Sequence, residues 1–308
     1  MIHLCGKGQN ATLPNVELRL NLTRIRSSLL TWTAIAVSSF VLLGISPFAI
    51  AAFLAYAIML PAKDRRPYAL SWASFAVCVY VFNVLRSIIY DDIQANGRHV
   101  FSSYAILGDR ALLHGHVAPE LLQQWSVRWL DWIALGFHFS HFVFFVPFTV
   151  AAWWSDRTYA LWSQRALLVV FGVGEAIYYL LPTVPPWLAF EQGLLPPIRH
   201  TTRILYAQLM TDGAIRLVDT NPVAAMPSLH VAIPVACAVI GWSAFRRPIA
   251  ATISCYAALQ CLAVMYLGEH YLVDVIAGAL LGFLATTVTR GRRAPICRRS
   301  IQESIARL

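Results

Sequence analysis

Long apolar runs separated by polar segments dominate the pattern of the chain. A helix needs about 20 mostly apolar residues to cross the hydrocarbon core of a bilayer, which is about 30 Å thick. Six runs have this character: Tyr68–Tyr90, Trp129–Trp154, Arg165–Leu181, Met226–Phe245, Pro248–Leu267 and Tyr271–Thr289. Trp and Tyr residues gather at their ends, as is typical of a membrane–water interface. The pattern predicts an all-α, polytopic membrane helix bundle with a six-helix core.

A further apolar run, from Leu29 to Leu60, precedes this core. As a single helix it would be about 48 Å long, which exceeds the thickness of the hydrocarbon core. Residues 44–47 (Gly-Ile-Ser-Pro) lie at its middle, and Gly with Pro commonly interrupts a helix. We therefore predict a hairpin of two short N-terminal spans, with one span as the alternative.

The two long polar segments, residues 91–128 and 182–225, fall on the same side of the membrane if the spans alternate. The opposite side receives 17 of the 24 Lys and Arg residues. Because Lys and Arg favour the cytoplasmic face, the long segments are predicted to face outward. The chain then divides into three parts: an N-terminal cytoplasmic segment with the membrane hairpin (1–67), a membrane domain (68–290) and a basic cytoplasmic tail (291–308).

Composition and charge agree with a membrane protein and argue against a soluble domain or a nucleic-acid-binding protein. Hydrophobic residues make up 58% of the 308 positions and charged residues 13%, with a mean hydropathy of +0.60, whereas soluble domains carry about 25% charged residues. The net charge of +9 follows the predicted topology and suits anionic lipid, so no nucleic-acid partner is predicted. The cysteines show neither CxxC nor zinc-ligand spacing, and we predict neither a disulfide framework nor a metal site.

The stretch Ala-Met-Pro-Ser-Leu-His, residues 225–230, leads from a long polar segment into a span. Pro227 and Ser228 at a helix start offer free backbone N–H groups and a hydroxyl, which suit a phosphate. His230 follows within the first turn and could protonate a leaving oxygen. Taken alone, the stretch is also an ordinary helix start.

The stretch Gly-Glu-His-Tyr-Leu-Val-Asp, residues 268–274, opens the last span. His270 and Asp274 are four residues apart and are predicted to share one helix face. The carboxylate can fix the tautomer of the imidazole and leave its other nitrogen nucleophilic. Alone, the pair could be structural. Ionisable residues at membrane depth are costly, however, and tend to be functional, so their coincidence with His230 on the outward side indicates an active site.

The order of these motifs resembles the phosphatidic-acid phosphatase type 2 superfamily, and more narrowly the branch that contains inositol phosphorylceramide synthase. The resemblance covers roughly residues 68–290 and rests on three ordered stretches: residues 181–187 (Leu-Pro-Thr-Val-Pro-Pro-Trp), 226–230 and 265–274. It implies that His270 attacks phosphorus to form a phosphohistidine and that Asp274 orients His270. It also implies that His230 protonates the leaving group and then deprotonates the acceptor, with no metal or other cofactor.

Phosphate-binding residues of the phosphatase members are missing from the expected positions. No K-x6-R-P motif lies outside the predicted cytoplasmic side, and Ala263 and Val264 stand where the third motif has Ser-Arg. Another cation must then neutralise the phosphate beside Ser228, or the site is not that of a generic phosphatase. Arg86, near the outward end of its span, is the first candidate, and snorkelling to the interface is its alternative. Further candidates lie in the second long segment: Arg199, Arg203 and Arg216.

Several other polar or aromatic side chains are candidates for a substrate pocket. Asp131, His138 and His141 form a stripe on one predicted span and could line the pocket or make an interhelical network. Trp187 could contact substrate or anchor the chain at the interface. Glu175 lies within a span, where we expect it to pair with a neighbouring helix.

The sequence thus predicts a membrane enzyme that transfers a phosphoryl-containing group from a lipid phosphoester to a small alcohol, in the manner of inositol phosphorylceramide synthase. One alternative is a lipid phosphate phosphatase that uses water as the acceptor. Another is a non-enzymatic lipid transporter or binding protein, against which the intact trio of His230, His270 and Asp274 argues. The expected location is the plasma membrane, with the active site on the extracytoplasmic side.

Overall fold

The computed structural model describes residues 62–209 and 221–291. Within these residues the chain forms ten α-helices and no sheet, which confirms the predicted all-α class. In chain order they are α1 (Ala62–Ala95), α2 (Ser103–Leu112), α3 (Ala118–Leu122), α4 (Arg128–Ser155), α5 (Arg157–Leu180), α6 (Pro186–Glu191), α7 (Thr201–Leu209), α8 (Leu229–Ala244), α9 (Arg247–Tyr266) and α10 (Leu272–Thr289). The predicted N-terminal spans, Arg216 and the tail from residue 292 lie outside the described residues.

All six predicted spans coincide with helices. Among the described helices, α5, α9 and α10 are long and apolar enough to cross a membrane, and α8 is apolar but shorter. The start of α5 was predicted too late, at Arg165. The helix begins at Arg157 because the Asp156 side chain accepts a hydrogen bond from the Thr158 N–H at 2.7 Å, an N-cap that lets the helix extend beyond its apolar run.

Two glycines of α10 bring its backbone against that of α8. A Cβ atom at Gly278 would lie 2.3 Å from the Ser228 carbonyl oxygen, and one at Gly282 would lie 2.3 Å from the Ala232 carbonyl oxygen. Small residues four apart allow this close approach between helices in a membrane. The packing sets the 225–230 stretch beside the start of α10.

Aromatic side chains fix α1 against α5. Phe82 and Phe171 lie with ring centroids 4.8 Å apart, and the Gln164 side chain donates to the Ser71 hydroxyl at 3.3 Å. Of these two contacts, the one that comes later in α1 also comes later in α5, so the two helices run parallel. The turn of α1 that follows Phe82 therefore lies beside the turn of α5 that follows Phe171.

The two long polar segments meet at one end of the bundle, called here the loop-rich end. Phe101 N–H donates to the Pro182 carbonyl at 2.8 Å, and Thr183 N–H donates to the Val223 carbonyl at 2.7 Å. Val184 N–H returns a bond to Phe101 at 2.9 Å. The stretch at residues 181–187 thus ties together the segment after α1 and the segment that enters α8.

Candidate active site

His230, His270 and Asp274 come together at the loop-rich end. His270 Nδ1 lies 3.5 Å from Asp274 Oδ2, and His270 Nε2 lies 3.2 Å from His230 Nδ1. His270 and Asp274 are buried. A proton on His270 Nδ1, facing the carboxylate, makes Nε2 an acceptor and places a proton on His230 Nδ1. The arrangement can therefore present a nucleophilic nitrogen and a proton donor side by side.

The prediction that His270 and Asp274 share a helix face is wrong. Helix α10 begins only at Leu272, with Tyr271 as its N-cap, because the chain turns at Gly268, where φ is +85°. Asp274 instead folds back toward the residues that precede the helix, and its Oδ2 accepts the Tyr271 N–H at 2.9 Å. Such a carboxylate in the first turn stabilises a helix start. Asp274 Oδ2 thus stabilises the start of α10 and lies 3.5 Å from the His270 imidazole.

Asp109 in α2, which the sequence does not single out, anchors the same helix start. Its buried carboxylate accepts backbone N–H bonds from Ala118 at 2.9 Å, Leu272 at 3.1 Å and Val273 at 3.0 Å. Burial raises the pKa of the Asp109 carboxyl above its ordinary value, while these three donors favour the ionised form. No local motif could mark this aspartate, since two of its partners are distant in the sequence.

The segment before α8 is hydrogen-bonded to both α10 and α5. Ser228 N–H donates to the Asp274 carbonyl at 3.1 Å, and the Tyr178 hydroxyl of α5 donates to the Pro227 carbonyl at 2.9 Å. The Ser228 amide, a predicted phosphate ligand, is therefore engaged. The Ser228 hydroxyl is buried and has no hydrogen-bond partner, so it is the group of this residue that is open to a ligand.

Two histidines of α4 pack on His230. The ring centroids of His138 and His141 lie 4.4 and 4.1 Å from that of His230. His141 Nδ1 lies 2.7 Å from the His138 carbonyl oxygen. Because a carbonyl only accepts, this contact places the His141 proton on Nδ1. His138 and His141 therefore belong to the surroundings of His230.

Asp131, the third member of the predicted stripe, belongs to a different network. Its Oδ1 lies 3.1 Å from Arg199 Nη2 and accepts a bond from the Tyr266 hydroxyl. Asp131 joins α4 to the end of α9 and to the segment before α7. Arg199, one of the alternative phosphate ligands, is engaged in the same network.

Trp187 is connected through His200 to Glu269, the residue that precedes His270. Its indole stacks on the His200 ring at 3.9 Å, and His200 Nε2 lies 3.2 Å from Glu269 Oε1. Burial opposes ionisation of Glu269, but the hydrogen bond and charge of His200 outweigh it and lower the pKa of Glu269 to about 2. Trp187 is itself buried, so it supports the segment around His270.

Arg86 in α1 is the predicted phosphate-binding cation. Its Nε is buried without a hydrogen-bond partner, and its backbone carbonyl accepts the Asn221 side-chain amide at 3.3 Å. The Arg86 charge acts on His138, His141 and His230. The structure therefore leaves the guanidinium within electrostatic reach of the histidine cluster.

Comparison with known proteins places these residues in a family. A family model described as the PAP2 superfamily matches residues 111–288, more than half of the 308-residue chain. The matched region includes His230, His270 and Asp274 and leaves out Arg86. No curated protein and no solved structure matches the chain.

Proposed function

The chain belongs to the PAP2 superfamily, and from this premise we propose that it transfers a phosphoryl-bearing group from a lipid phosphoester to an alcohol through a phosphohistidine at His270. Membership indicates a membrane enzyme of the phosphatase or phosphotransferase type that acts on lipid phosphates. The contact of His230 Nδ1 with His270 Nε2 at 3.2 Å carries the proposal, because it pairs a nucleophile with a proton donor.

In the first step His270 Nε2 attacks phosphorus. The bond from phosphorus to the lipid oxygen breaks as the N–P bond forms, and His230, protonated on both ring nitrogens for this step, gives its Nδ1 proton to the departing alkoxide and is left neutral. Asp274 keeps the proton on His270 Nδ1 and stabilises the charge that develops on the ring. Hydrogen bonds of this kind are commonly long in ligand-free sites and shorten on binding, as the 3.5 Å separation of His270 and Asp274 allows.

In the second step an alcohol enters the place of the departed lipid. His230 takes the proton of its hydroxyl, the alcohol oxygen attacks phosphorus and the N–P bond breaks. His270 Nε2 recovers its lone pair and His230 its proton, so the cycle closes without a net change in the enzyme. Water in place of the alcohol would give hydrolysis by the same route.

The phosphate in this proposal is bound by Arg86 and by the Ser228 hydroxyl. Arg86 Nε and the Ser228 hydroxyl are buried without a partner among the described residues, and Ser228 stands at the start of α8, where the helix dipole favours an anion. His141 forms part of the substrate pocket next to His230. Asp131 and Trp187 shape its entrance through the networks that hold α7 and the His270 segment.

We favour transfer over hydrolysis because the positions of the third motif hold Ala263 and Val264. In this respect the chain resembles the inositol phosphorylceramide synthase branch more than the phosphatases. Both residues are buried and neither can bind a phosphate.

The proposal is tested by following the fate of the phosphate. Purified protein is incubated with a lipid phosphodiester carrying labelled phosphate, with and without inositol or glycerol-based alcohols. We expect label in a new phosphoester when alcohol is present, in excess of free phosphate or water-cleaved product. Because the described part of the chain has no group of three or more potential metal ligands, activity should survive excess chelator. A water-cleaved phosphomonoester without any new phosphodiester would identify a hydrolase, and no turnover of the donor would support a binding protein.

We propose that the chain lies in the plasma membrane with its active site on the extracytoplasmic side. In a cysteine-free background, Gln94→Cys and Gln192→Cys should react with an impermeant thiol reagent in intact cells, whereas Ser300→Cys should not. Both glutamines are exposed, and they avoid the neighbouring Gly97 and Gly193, whose φ angles are positive. Labelling at Ser300 alone would invert the topology.

A further inference from the structure

The connection between α9 and α10 carries the proposed nucleophile outside both helices. Helix α9 ends at Tyr266 and α10 begins at Leu272, so His270 lies between them. A residue inside a helix is positioned by the regular backbone hydrogen bonds of that helix. The position of His270 depends instead on how the rest of this connection is attached to the protein.

The first half of the connection is attached through its backbone. The Leu267 carbonyl accepts the Thr201 N–H at 3.3 Å, and the Gly268 carbonyl accepts the Trp187 N–H at 3.2 Å. A Cβ atom at Gly268 would lie 2.7 Å from the Arg199 carbonyl oxygen, so the turn packs directly on the segment before α7. These contacts fix the connection as far as residue 268.

The Glu269 side chain continues this attachment up to the residue next to His270. Its Oε1 lies 3.2 Å from His200 Nε2, and both side chains are largely buried. Because a carboxylate only accepts, the contact places a proton on His200 Nε2. The pKa of Glu269, at about 2, keeps the carboxylate ionised at neutral pH. A hydrogen bond to a charged group that is shielded from water is a strong one.

His200 is a well-anchored partner for this carboxylate. Its ring stacks on the Trp187 indole with the centroids 3.9 Å apart and the planes 8° from parallel, and Trp187 is buried. The preceding residue is bound in both directions by one side chain: Arg199 N–H donates to Gln123 Oε1 at 2.8 Å, and Gln123 Nε2 donates to the Arg199 carbonyl at 3.0 Å. The ring and the backbone of the His200 segment are thus both held.

We propose that His200 and Glu269 are positioning residues for the nucleophile, whose contact fixes the backbone that presents His270 Nε2 to phosphorus. The inference rests on the proposed function and adds two residues that act through His270. Asp274 and His230 contact the imidazole ring itself, whereas the contact of His200 with Glu269 restrains the chain that carries the ring. A displacement of about 1 Å at reacting groups can cost about 10²-fold in rate, so loss of this restraint should slow the attack.

The test removes each side of the contact in the purified full chain. His200→Phe keeps a ring that can stack on Trp187 but has no nitrogen, and Glu269→Leu keeps the bulk without the carboxylate. With a nitrophenyl phosphodiester as substrate, we expect each variant to lower kcat about 10²-fold and to change KM about twofold at most, because the proposed phosphate ligands are not altered. The double variant should be no slower than either single variant, because the two residues form one interaction.

Two further variants separate positioning from a general loss of packing. Glu269→Gln keeps an oxygen that can accept from His200 Nε2, so it should be about tenfold faster than Glu269→Leu. The matched control is His116→Phe, which breaks a contact of the same kind beside α3, where His116 Nδ1 lies 2.9 Å from Glu120 Oε1. This control should keep the kcat of the unmodified protein. Equal kcat in His200→Phe and His116→Phe, or additive losses in the double variant, would overturn the inference.

Vanadate binding distinguishes failure of the inference from failure of the proposed reaction. Vanadate forms a five-coordinate adduct with a nucleophile, as phosphorus does during transfer, so its affinity reports the placement of His270 without turnover. We expect His200→Phe and Glu269→Leu to weaken vanadate binding about tenfold or more and to change the binding of inorganic phosphate little. This pattern in a protein that cleaves no phosphoester would contradict the proposed reaction and leave the inference supported.

Equal vanadate affinity in all variants would overturn the inference even if the unmodified protein cleaves the phosphodiester. Thermal unfolding of each variant shows whether the fold persists, since a buried charge left without its partner is strongly destabilising. If a single variant does not fold, the double variant, which leaves neither charge unpaired, must show the same losses of kcat and vanadate affinity.

Discussion

His270→Ala should abolish turnover and the phosphoenzyme together, whereas His230→Ala should keep a phosphoenzyme with a reactive substrate. In the proposed reaction His270 Nε2 is the atom that forms the N–P bond, and His230 supplies a proton to the leaving oxygen. A nitrophenyl phosphodiester needs little protonation, so His230→Ala should still form the adduct from it and then discharge slowly, because the acceptor is not deprotonated.

The measurement is trapped phosphoenzyme after acid and base quenching, since phosphohistidine is acid-labile and base-stable. Asp274→Asn provides the intermediate case. It leaves the nucleophile in place but removes control of its tautomer, and in a serine protease triad the equivalent change costs about 10⁴-fold in kcat. If His270→Ala forms the adduct while His230→Ala cannot, the two roles are reversed.

The helices of the six predicted spans and the proximity of His230, His270 and Asp274 could be predicted from the sequence, because both depend on local pattern. Apolar runs of membrane length are typical of membrane-spanning helices, and ionisable residues at their ends are costly enough to be informative. The helix starts were less predictable. Asp156 extends α5 by a capping bond, and the turn at Gly268 removes His270 from α10. A side-chain cap or a left-handed turn overrides apolar periodicity.

The rest of the candidate site depends on which helix faces meet, and sequence spacing does not determine this. The stripe on α4 looks uniform, yet His138 and His141 reach His230 while Asp131 is engaged with Arg199. Asp109 anchors α10 from a separate helix. Such contacts between elements distant in the sequence become visible only once the bundle is assembled.

Gly278→Ala should cause the second large loss of activity, because α8 and α10 are in close contact at this glycine. The new Cβ would lie 2.3 Å from the Ser228 carbonyl oxygen, a backbone atom that cannot rotate away. Relief requires α8 and α10 to separate, which would strain the bond from Ser228 N–H to the Asp274 carbonyl. A displacement of about 1 Å at reacting groups can cost about 10²-fold in rate. We expect Gly278→Ala to lower the rate of phosphoenzyme formation by about that factor, as measured with the reactive phosphodiester.

Three other glycine substitutions distinguish a disturbed site from general loss of packing. Gly172→Ala of α5 meets open space and should be neutral or slightly stabilising, because Ala favours a helix by about 1 kcal/mol over Gly. Gly136→Ala of α4, also in open space, should behave alike. Gly282→Ala makes an equally close contact, at the Ala232 carbonyl one turn deeper, so it should lower the unfolding temperature about as much as Gly278→Ala while retaining more activity. Equal activity in Gly278→Ala and Gly172→Ala would show that the site tolerates separation of the two helices.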